Sequence, residues 1–316
     1  MTTVAVVDIG SNSVRLLITD KSDDGEITEL DRQANVTRLG QGVDTSNTLA
    51  DEAIERTYKV LADYAERIDQ HHCDEKLAVL TSAVRDSDNG QEFAQTIEER
   101  YGLTPHVLKG DEEARLTYLG ATGERDHADT TPTLVVDIGG GSTELIIGAG
   151  PEVRFSVSTQ AGVVRQTERH LHDDPPTDEQ MEALANDVRE ILADNVPEEF
   201  RTAVRTGIAV AGTATSLAAI AQHLDPYDPE KVHGYELSTD ECDRILGELS
   251  AMTLEQRRAV PGLHPDRAPT IIAGVLIFKE VVRMFGLTTI EVSEHDILRG
   301  AVLGLTGTGR TLDNNP

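Results

Sequence analysis

Twice in this chain an apolar, β-branched run closes on an aspartate and passes into a short turn of glycine, serine and asparagine. The two stretches are "VAVVDIGSNSVRLLI" at residues 4–18 and "LVVDIGGGSTELII" at residues 134–147. Aligned on Asp8 and Asp137, Gly10 matches Gly139, Ser13 matches Ser142 and Ile18 matches Ile147. Glycine lets backbone come close to a ligand and adopt positive φ, so successive N–H groups can form a concave anion site with Ser or Asn as added donors. The candidate phosphate-binding residues are Gly10, Ser11, Asn12 and Ser13 in the first copy, and Gly139, Gly140, Gly141, Ser142 and Thr143 in the second. The aspartate at the strand end faces the same space, where it can hold a cation or water beside a phosphate. One such turn is an ordinary hairpin. Two, each with an aspartate at the same offset, point to a duplicated phosphate-binding unit.

The elements that must position these turns follow from hydrophobic periodicity. Strands are predicted at residues 3–8, 14–19 and 26–35, then an amphipathic helix at 51–68 with Ile54, Tyr58, Leu61, Ala65 and Ile68 on one face. Strand "KLAVLTS", helix "NGQEFAQTIEERYG", strand "TPHVLKG" and helix "DEEARLTYLGAT" complete the first half. After a polar linker the second half repeats the series and ends on an apolar helix, "TIIAGVLIFKEVVRMFG", and a strand, "LTTIEVSE". The expected domains are residues 1–126, completed by a helix from about 297 to 308, and residues 127–296, with a frayed tail at 309–316.

Composition narrows the function. The 316 residues carry 56 acidic against 28 basic side chains, a formal net charge of -28, and only 3% are aromatic. No basic stripe is available for nucleic acid, no run is long enough to span a membrane, and no signal peptide stands at the N-terminus. Two cysteines, Cys73 and Cys242, offer neither a disulfide framework nor a zinc set, so the expected location is the cytoplasm. Dispersed acid with little lysine points to a high-salt cytoplasm of the kind halophilic archaea maintain, with an ordinary acidic mesophile protein as the alternative. "HHCD" at residues 71–74 follows an amphipathic helix and is expected to be a solvated terminus, despite its ligand-type side chains.

Taken together, "DIGSNS", "TSAVRDSDN", "GDEEARLTYLGA", "DIGGGSTEL", "AGVVRQTERHL", "AGTATSLAAI", "VHGYELS", "GLHPDRA" and "VSEHDILRGAVLG" resemble the exopolyphosphatase/guanosine-pentaphosphatase (Ppx/GppA) family in its short, two-domain form. The resemblance runs from residue 4 to about residue 305. It implies an α/β fold of two duplicated ribonuclease-H-like domains, as in the actin-like ATPase and sugar kinase superfamily, with an interdomain cleft. It further implies hydrolysis of terminal phosphoanhydride bonds. Glu113 matches the water-orienting base, with its neighbour Glu112 as the alternative, and Arg85 matches an arginine on the phosphoryl group. Asp137, Glu144 and Asp8 match acidic residues that hold Mg²⁺, with Mn²⁺ as a substitute. Arg165 is placed to line a path for the rest of a polyanion, or to pair with Glu168. Gly212 and Thr213 stand where kinase relatives bind adenosine, or simply start a helix. "HD" at residues 295 and 296 falls inside the family's terminal segment, and Pro269 stands where the family usually reads Asp. The implied substrate is inorganic polyphosphate, with guanosine pentaphosphate as the alternative and a homodimer as a further partner. An actin-like nucleotide sensor or assembly protein is the reading from another class.

Overall fold

The runs around each aspartate are buried on both faces, as central strands of a sheet must be. In the computed structural model, which describes residues 1–23, 25–126 and 128–306, the chain forms two compact units. One is Met1–Gly120 joined by the segment from Ile297, and the other is Ala121–Asp296.

The first unit runs β1 (Thr2–Ile9), β2 (Ser13–Lys21), β3 (Ile27–Val36), α1 (Val43–Ser46), α2 (Asp51–Gln70), β4 (Glu75–Leu80), α3 (Ser82–Arg85), α4 (Gly90–Tyr101), β5 (Thr104–Val107) and α5 (Gly110–Thr122). Its sheet has the order β3-β2-β1-β4-β5. The first three strands form an antiparallel meander, and β4 and β5 add in parallel. Val4, Ala5, Val6 and Val7 are fully buried. The buried face of α2 is turned by one residue from the expected one: it runs through Ala53, Thr57, Leu61, Tyr64 and Ile68, while Ile54 and Tyr58 lie at its margin. Tyr64 can be central because its hydroxyl is satisfied, donating to the Val14 carbonyl at 3.0 Å and accepting from Asn35 Nδ2 at 3.0 Å.

The second unit runs β6 (Thr133–Ile138), β7 (Thr143–Ala149), β8 (Glu152–Thr159), α6 (Val163–His170), α7 (Asp178–Asn195), α8 (Glu198–Ala203), β9 (Thr206–Val210), α9 (Ala211–Ala221), α10 (Pro229–Val232), β10 (Tyr235–Ser238), α11 (Thr239–Ser250), α12 (Leu254–Arg257), α13 (Ile271–Met284) and β11 (Thr289–Val292). Its sheet order is β10-β11-β9-β6-β7-β8. Read backwards from β8, this repeats the first sheet and adds β10 at the far edge. The repeat extends to an irregularity: β2–β3 shifts register between Ile18 and Thr19, and β7–β8 shifts between Ile147 and Gly148. These are the matched positions of the two copies, so the chain is two α/β units that repeat one ribonuclease-H-like topology, the duplication the sequence implied.

The last helix, α14 (Ile297–Leu305), belongs to the first unit, where Ile297, Leu298, Ala301 and Val302 share a buried cluster with Val4, Val6 and Leu116. A Cβ on Gly300 would lie 1.8 Å from the Leu116 carbonyl oxygen, so only glycine permits this approach of α14 to α5. The packing fixes α5 and the acidic turn at its start. The expected tail at 309–316 lies outside the described residues.

Candidate active site

In the first unit the turn is closed by the Gly10 N–H donating to the Ser13 carbonyl at 3.0 Å. A second segment braces it from outside: the N–H groups of Thr37 and Arg38 donate to the Asn12 carbonyl at 3.0 and 2.9 Å, and that of Gly40 to the Ser11 carbonyl at 2.8 Å. Ser11 Oγ also lies 3.0 Å from Ser82 Oγ at the start of α3, which ties the turn to the end of β4. Arg85 ends α3. Its Nη1 donates to Glu113 Oε2 at 3.1 Å and to the Leu108 carbonyl at 3.0 Å, and its Nε donates to Asp86 Oδ1 at 3.1 Å. Burial works against the Arg85 charge, but the Glu113 and Asp86 carboxylates outweigh it and hold the guanidinium above its ordinary pKa. The neighbouring glutamates have separate tasks. Glu112 Oε2 accepts the Lys109 N–H at 2.9 Å, the reach-back of a helix-capping glutamate, while Glu113 meets Arg85.

In the second unit the Gly139 N–H donates to the Ser142 carbonyl at 2.9 Å, the same closure as in the first copy. Helix α6 starts against this turn. The N–H groups of Val163 and Val164 donate to the Gly139 and Gly140 carbonyls at 2.9 and 2.8 Å, and Arg165 Nε donates to the Gly141 carbonyl at 3.1 Å. Gly162 makes the approach possible, since a Cβ there would lie 2.1 Å from the Gly141 carbonyl carbon and 2.4 Å from the Gly140 oxygen. Asp137 and Glu144 face each other as cross-strand partners in β6 and β7. Glu144 Oε1 accepts from Ser142 Oγ at 2.6 Å and Ser158 Oγ at 2.7 Å, which aims the carboxylate along the turn. Gly212 and Thr213 do begin a helix, α9. The Arg267 guanidinium packs where a Gly212 Cβ would stand and lies 3.0 Å from Ser216 Oγ, so it covers the start of α9.

Several members of these sites did not stand out in the sequence. Arg15 is the cross-strand partner of Asp8, and its Nε and Nη2 donate to Asp8 Oδ2 at 2.9 and 2.6 Å. Arg15 and Glu144 occupy matched positions, so comparing the two copies beyond the aspartates was the signal that marked it. Ser158 is recognisable only from the register of β8. Arg38 is exposed, has φ 53, and places its backbone N–H on the first turn, so a left-handed arginine sits beside that turn.

Each unit thus carries a glycine- and serine-bearing turn at a strand end, the first with an Arg–Glu couple and the second with a facing pair of carboxylates, which are residue types that phosphoryl-transfer enzymes use. The sequence pattern of the Ppx/GppA phosphatase family matches residues 17–307. The chain is 41% identical to "Exopolyphosphatase 2" of Mycobacterium tuberculosis over 97% of its length and 99% of that protein's. Its structure is similar to that of the Aquifex aeolicus Ppx/GppA family member, with a TM-score of 0.83, 30% identity and coverage of 98% of this chain and 99% of the other. It is also similar to an exopolyphosphatase from Cytophaga hutchinsonii, with a TM-score of 0.84, 28% identity and coverage of 96% and 97%. This chain belongs to the Ppx/GppA phosphatase family, and it is a hydrolase of phosphoanhydrides.

Proposed function

We propose that the protein is an exopolyphosphatase that removes orthophosphate from the ends of inorganic polyphosphate. The observation that carries the reading is the division of labour at the start of α5, where Glu112 caps the helix and the neighbouring Glu113 is aimed by Arg85. In the reaction, Arg85 and the turn N–H groups hold the terminal phosphoryl oxygens, and Glu113 orients a water and takes its proton. The water oxygen bonds to the terminal phosphorus as the bond to the bridging oxygen breaks. The shortened chain leaves with that oxygen and its electron pair. Arg165, near the second turn, offers charge for the remainder of the polyanion.

The acidic pair fits Mg²⁺, or Mn²⁺, because Asp137 and Glu144 are hard oxygen donors at facing positions of adjacent strands, with the Ser142 hydroxyl orienting Glu144. These two residues would hold the ion, which would offset charge on the phosphate oxygens. Asp8, the third expected ligand, lies in the other unit and is paired with Arg15 through Oδ2. No described helix is long and apolar enough to cross a membrane. The acid surplus supports a cytoplasmic protein working at high salt.

The test is phosphate release from long and short polyphosphate, guanosine pentaphosphate and ATP at matched KCl and Mg²⁺. Long polyphosphate should give the highest kcat/KM. Preference for guanosine pentaphosphate would move the assignment to that substrate. Nucleotide binding with no phosphate release from any substrate would make the chain a sensor and overturn the reading.

A further inference from the structure

Away from both phosphate turns, the second unit brings two imidazoles and a carboxylate together. His295 Nδ1 lies 3.5 Å from Glu124 Oε2, and His233 Nε2 lies 4.0 Å from the same oxygen. The two rings stack with centroids 4.2 Å apart, tilted by 39°. One potential ligand atom from each of Glu124, His233 and His295 falls within 4.8 Å of the others, and no other such group is found among the described residues. We propose that these three residues bind one divalent transition-metal ion of the zinc class, at a site separate from the acidic pair at the second turn.

The chemistry of the donors selects the ion. Two imidazoles and one carboxylate suit Zn²⁺ and its borderline neighbours, whereas Mg²⁺ takes oxygen ligands and keeps its waters. Around zinc, bonds of about 2.0–2.2 Å put ligand atoms roughly 3–3.5 Å apart. The two carboxylate–imidazole separations of 3.5 and 4.0 Å must therefore close by up to about 1 Å, within the swing of the glutamate side chain, and the two imidazole nitrogens must be brought together by rotation of a ring. Glu124, whose side chain is 55% exposed, has room for that movement, and the His233 and His295 side chains, 34% and 19% exposed, are accessible but more firmly held. Water would complete the coordination sphere.

The surroundings define the cost and the means. His233 Nδ1 accepts the Glu294 N–H at 3.3 Å, so its Nε2 carries the ring proton in this arrangement. Metal binding at Nε2 moves that proton to Nδ1 and gives up this long contact. Ser293 Oγ, 3.4 Å from Nδ1, is then the acceptor for the new Nδ1–H. Such an outer partner orients a ligating imidazole. The Ser293 hydroxyl is itself placed by donating to the His295 carbonyl at 3.3 Å and accepting the His295 N–H at 2.9 Å. The nearby Arg125 charge is offset by its ion pair with Glu291.

The location gives the ion a structural effect. Glu124 stands just inside the start of this unit at Ala121, His295 just before its end at Asp296, and His233 two residues before β10. One ion would clasp the entering and leaving segments of the unit to its edge strand.

The experiment uses the full chain stripped with a chelator, then titrated with Co²⁺ and Zn²⁺ in saturating Mg²⁺ so that the acidic pair is occupied. The expected result is one ion per chain, a Co²⁺ visible band showing nitrogen ligation, and a Tm rise of about 5 °C or more at a hundredfold excess over Kd. His295→Ala and Glu124→Gln should each weaken binding by at least the roughly 10–100-fold expected for loss of a metal partner. Glu124→Gln alters an exposed side chain and keeps the test valid if the histidine variant does not fold. Wild-type protein that takes up no Zn²⁺, or stoichiometric binding unchanged in Glu124→Gln, overturns the proposal.

Discussion

Replacing Glu113 with glutamine separates the catalytic role of this side chain from its structural one. The amide keeps the size of the carboxylate and retains an oxygen that can accept from Arg85, but it cannot take a proton from water. Loss of a general base costs about 10²–10⁴-fold in rate, or about 2.7–5.4 kcal/mol of barrier at 1.36 kcal/mol per tenfold. The fold should lose far less. Arg85 retains its hydrogen bonds to Asp86 and Leu108, and the amide oxygen of the variant can still accept from Nη1 of this partly buried partner. The stability cost should stay below about 1.5 kcal/mol. Glu112→Ala predicts the reverse pattern. It removes the acceptor for the Lys109 N–H and should cost about 0.5–2 kcal/mol of stability, as loss of a helix cap does, with kcat within a few-fold of wild type. Steady-state phosphate release and urea unfolding on both variants separate the effects. The reasoning fails if Glu113→Gln retains more than a tenth of wild-type kcat, or if Glu112→Ala slows the reaction more than Glu113→Gln does.

Other perturbations test the supports of the two turns. Gly162→Ala should abolish phosphate release or leave the protein insoluble, because its methyl group would meet the Gly141 backbone at 2.1 Å; a soluble variant with normal KM would show that the turn can yield. Asp187 joins α7 to α6, accepting from Gln166 Nε2 at 3.1 Å and Arg169 Nη1 at 2.8 Å, with His170 Nε2 at 3.1 Å. Burial alone would raise its pKa, but these partners outweigh burial and hold it below the ordinary 3.8. Because the folded-state pKa is depressed, its stabilisation is present above 3.8 and is lost as pH falls through the lower folded value. Urea unfolding of wild type and Asp187→Asn should therefore differ at neutral pH and converge in acid; a gap that widens in acid contradicts the assignment. A KCl series at fixed Mg²⁺ should first raise both Tm and hydrolysis, as self-repulsion at net charge -28 is screened, and only later inhibit by weakening arginine–phosphate contacts. Maximal stability and activity at low salt would remove the high-salt reading.

The architecture was legible because each unit opens with strands whose pattern leaves little freedom. A β-branched run ending in Asp-Ile-Gly has one economical fold, and its recurrence in one chain marks a duplication. Side-chain partnerships were less visible. Asp8 and Asp137 read alike in sequence, yet one meets an arginine and the other a glutamate, because the residue opposite is fixed by register seven positions along the chain. The face of α2 differs by one position from the apolar pattern, which favours Ile54 and Tyr58, because Tyr64 is buried with hydrogen bonds that periodicity does not register. The division between Glu112 and Glu113 likewise needed the helix start, since which of two adjacent acids caps the backbone depends on where the first turn begins.

The contrast between the two copies leads to a final prediction. Opposite Asp8, the first sheet places Arg15 and neutralises the strand end internally; opposite Asp137, the second places Glu144, so two carboxylates share adjacent strands. Like charges directly opposite in a sheet are unfavourable, by an amount comparable to the roughly 0.2–1 kcal/mol gained by a favourable cross-strand pair. Where the first copy sets an arginine opposite its aspartate, the second sets a glutamate, and two carboxylates on adjacent strands are the hard oxygen donors that suit a bound cation. Glu144→Arg transplants the first copy's solution into the second. Without divalent ions the variant should be at least as stable as wild type, since an opposed pair of carboxylates becomes an ion pair. Its Tm should no longer respond to Mg²⁺, and phosphate release should fall to the level seen with a chelator. Unfolding with and without Mg²⁺, together with hydrolysis assays, would check each arm. If the variant retains Mg²⁺-dependent stabilisation and activity, then Glu144 serves the turn through Ser142 and Ser158 alone, and the asymmetry has no bearing on metal.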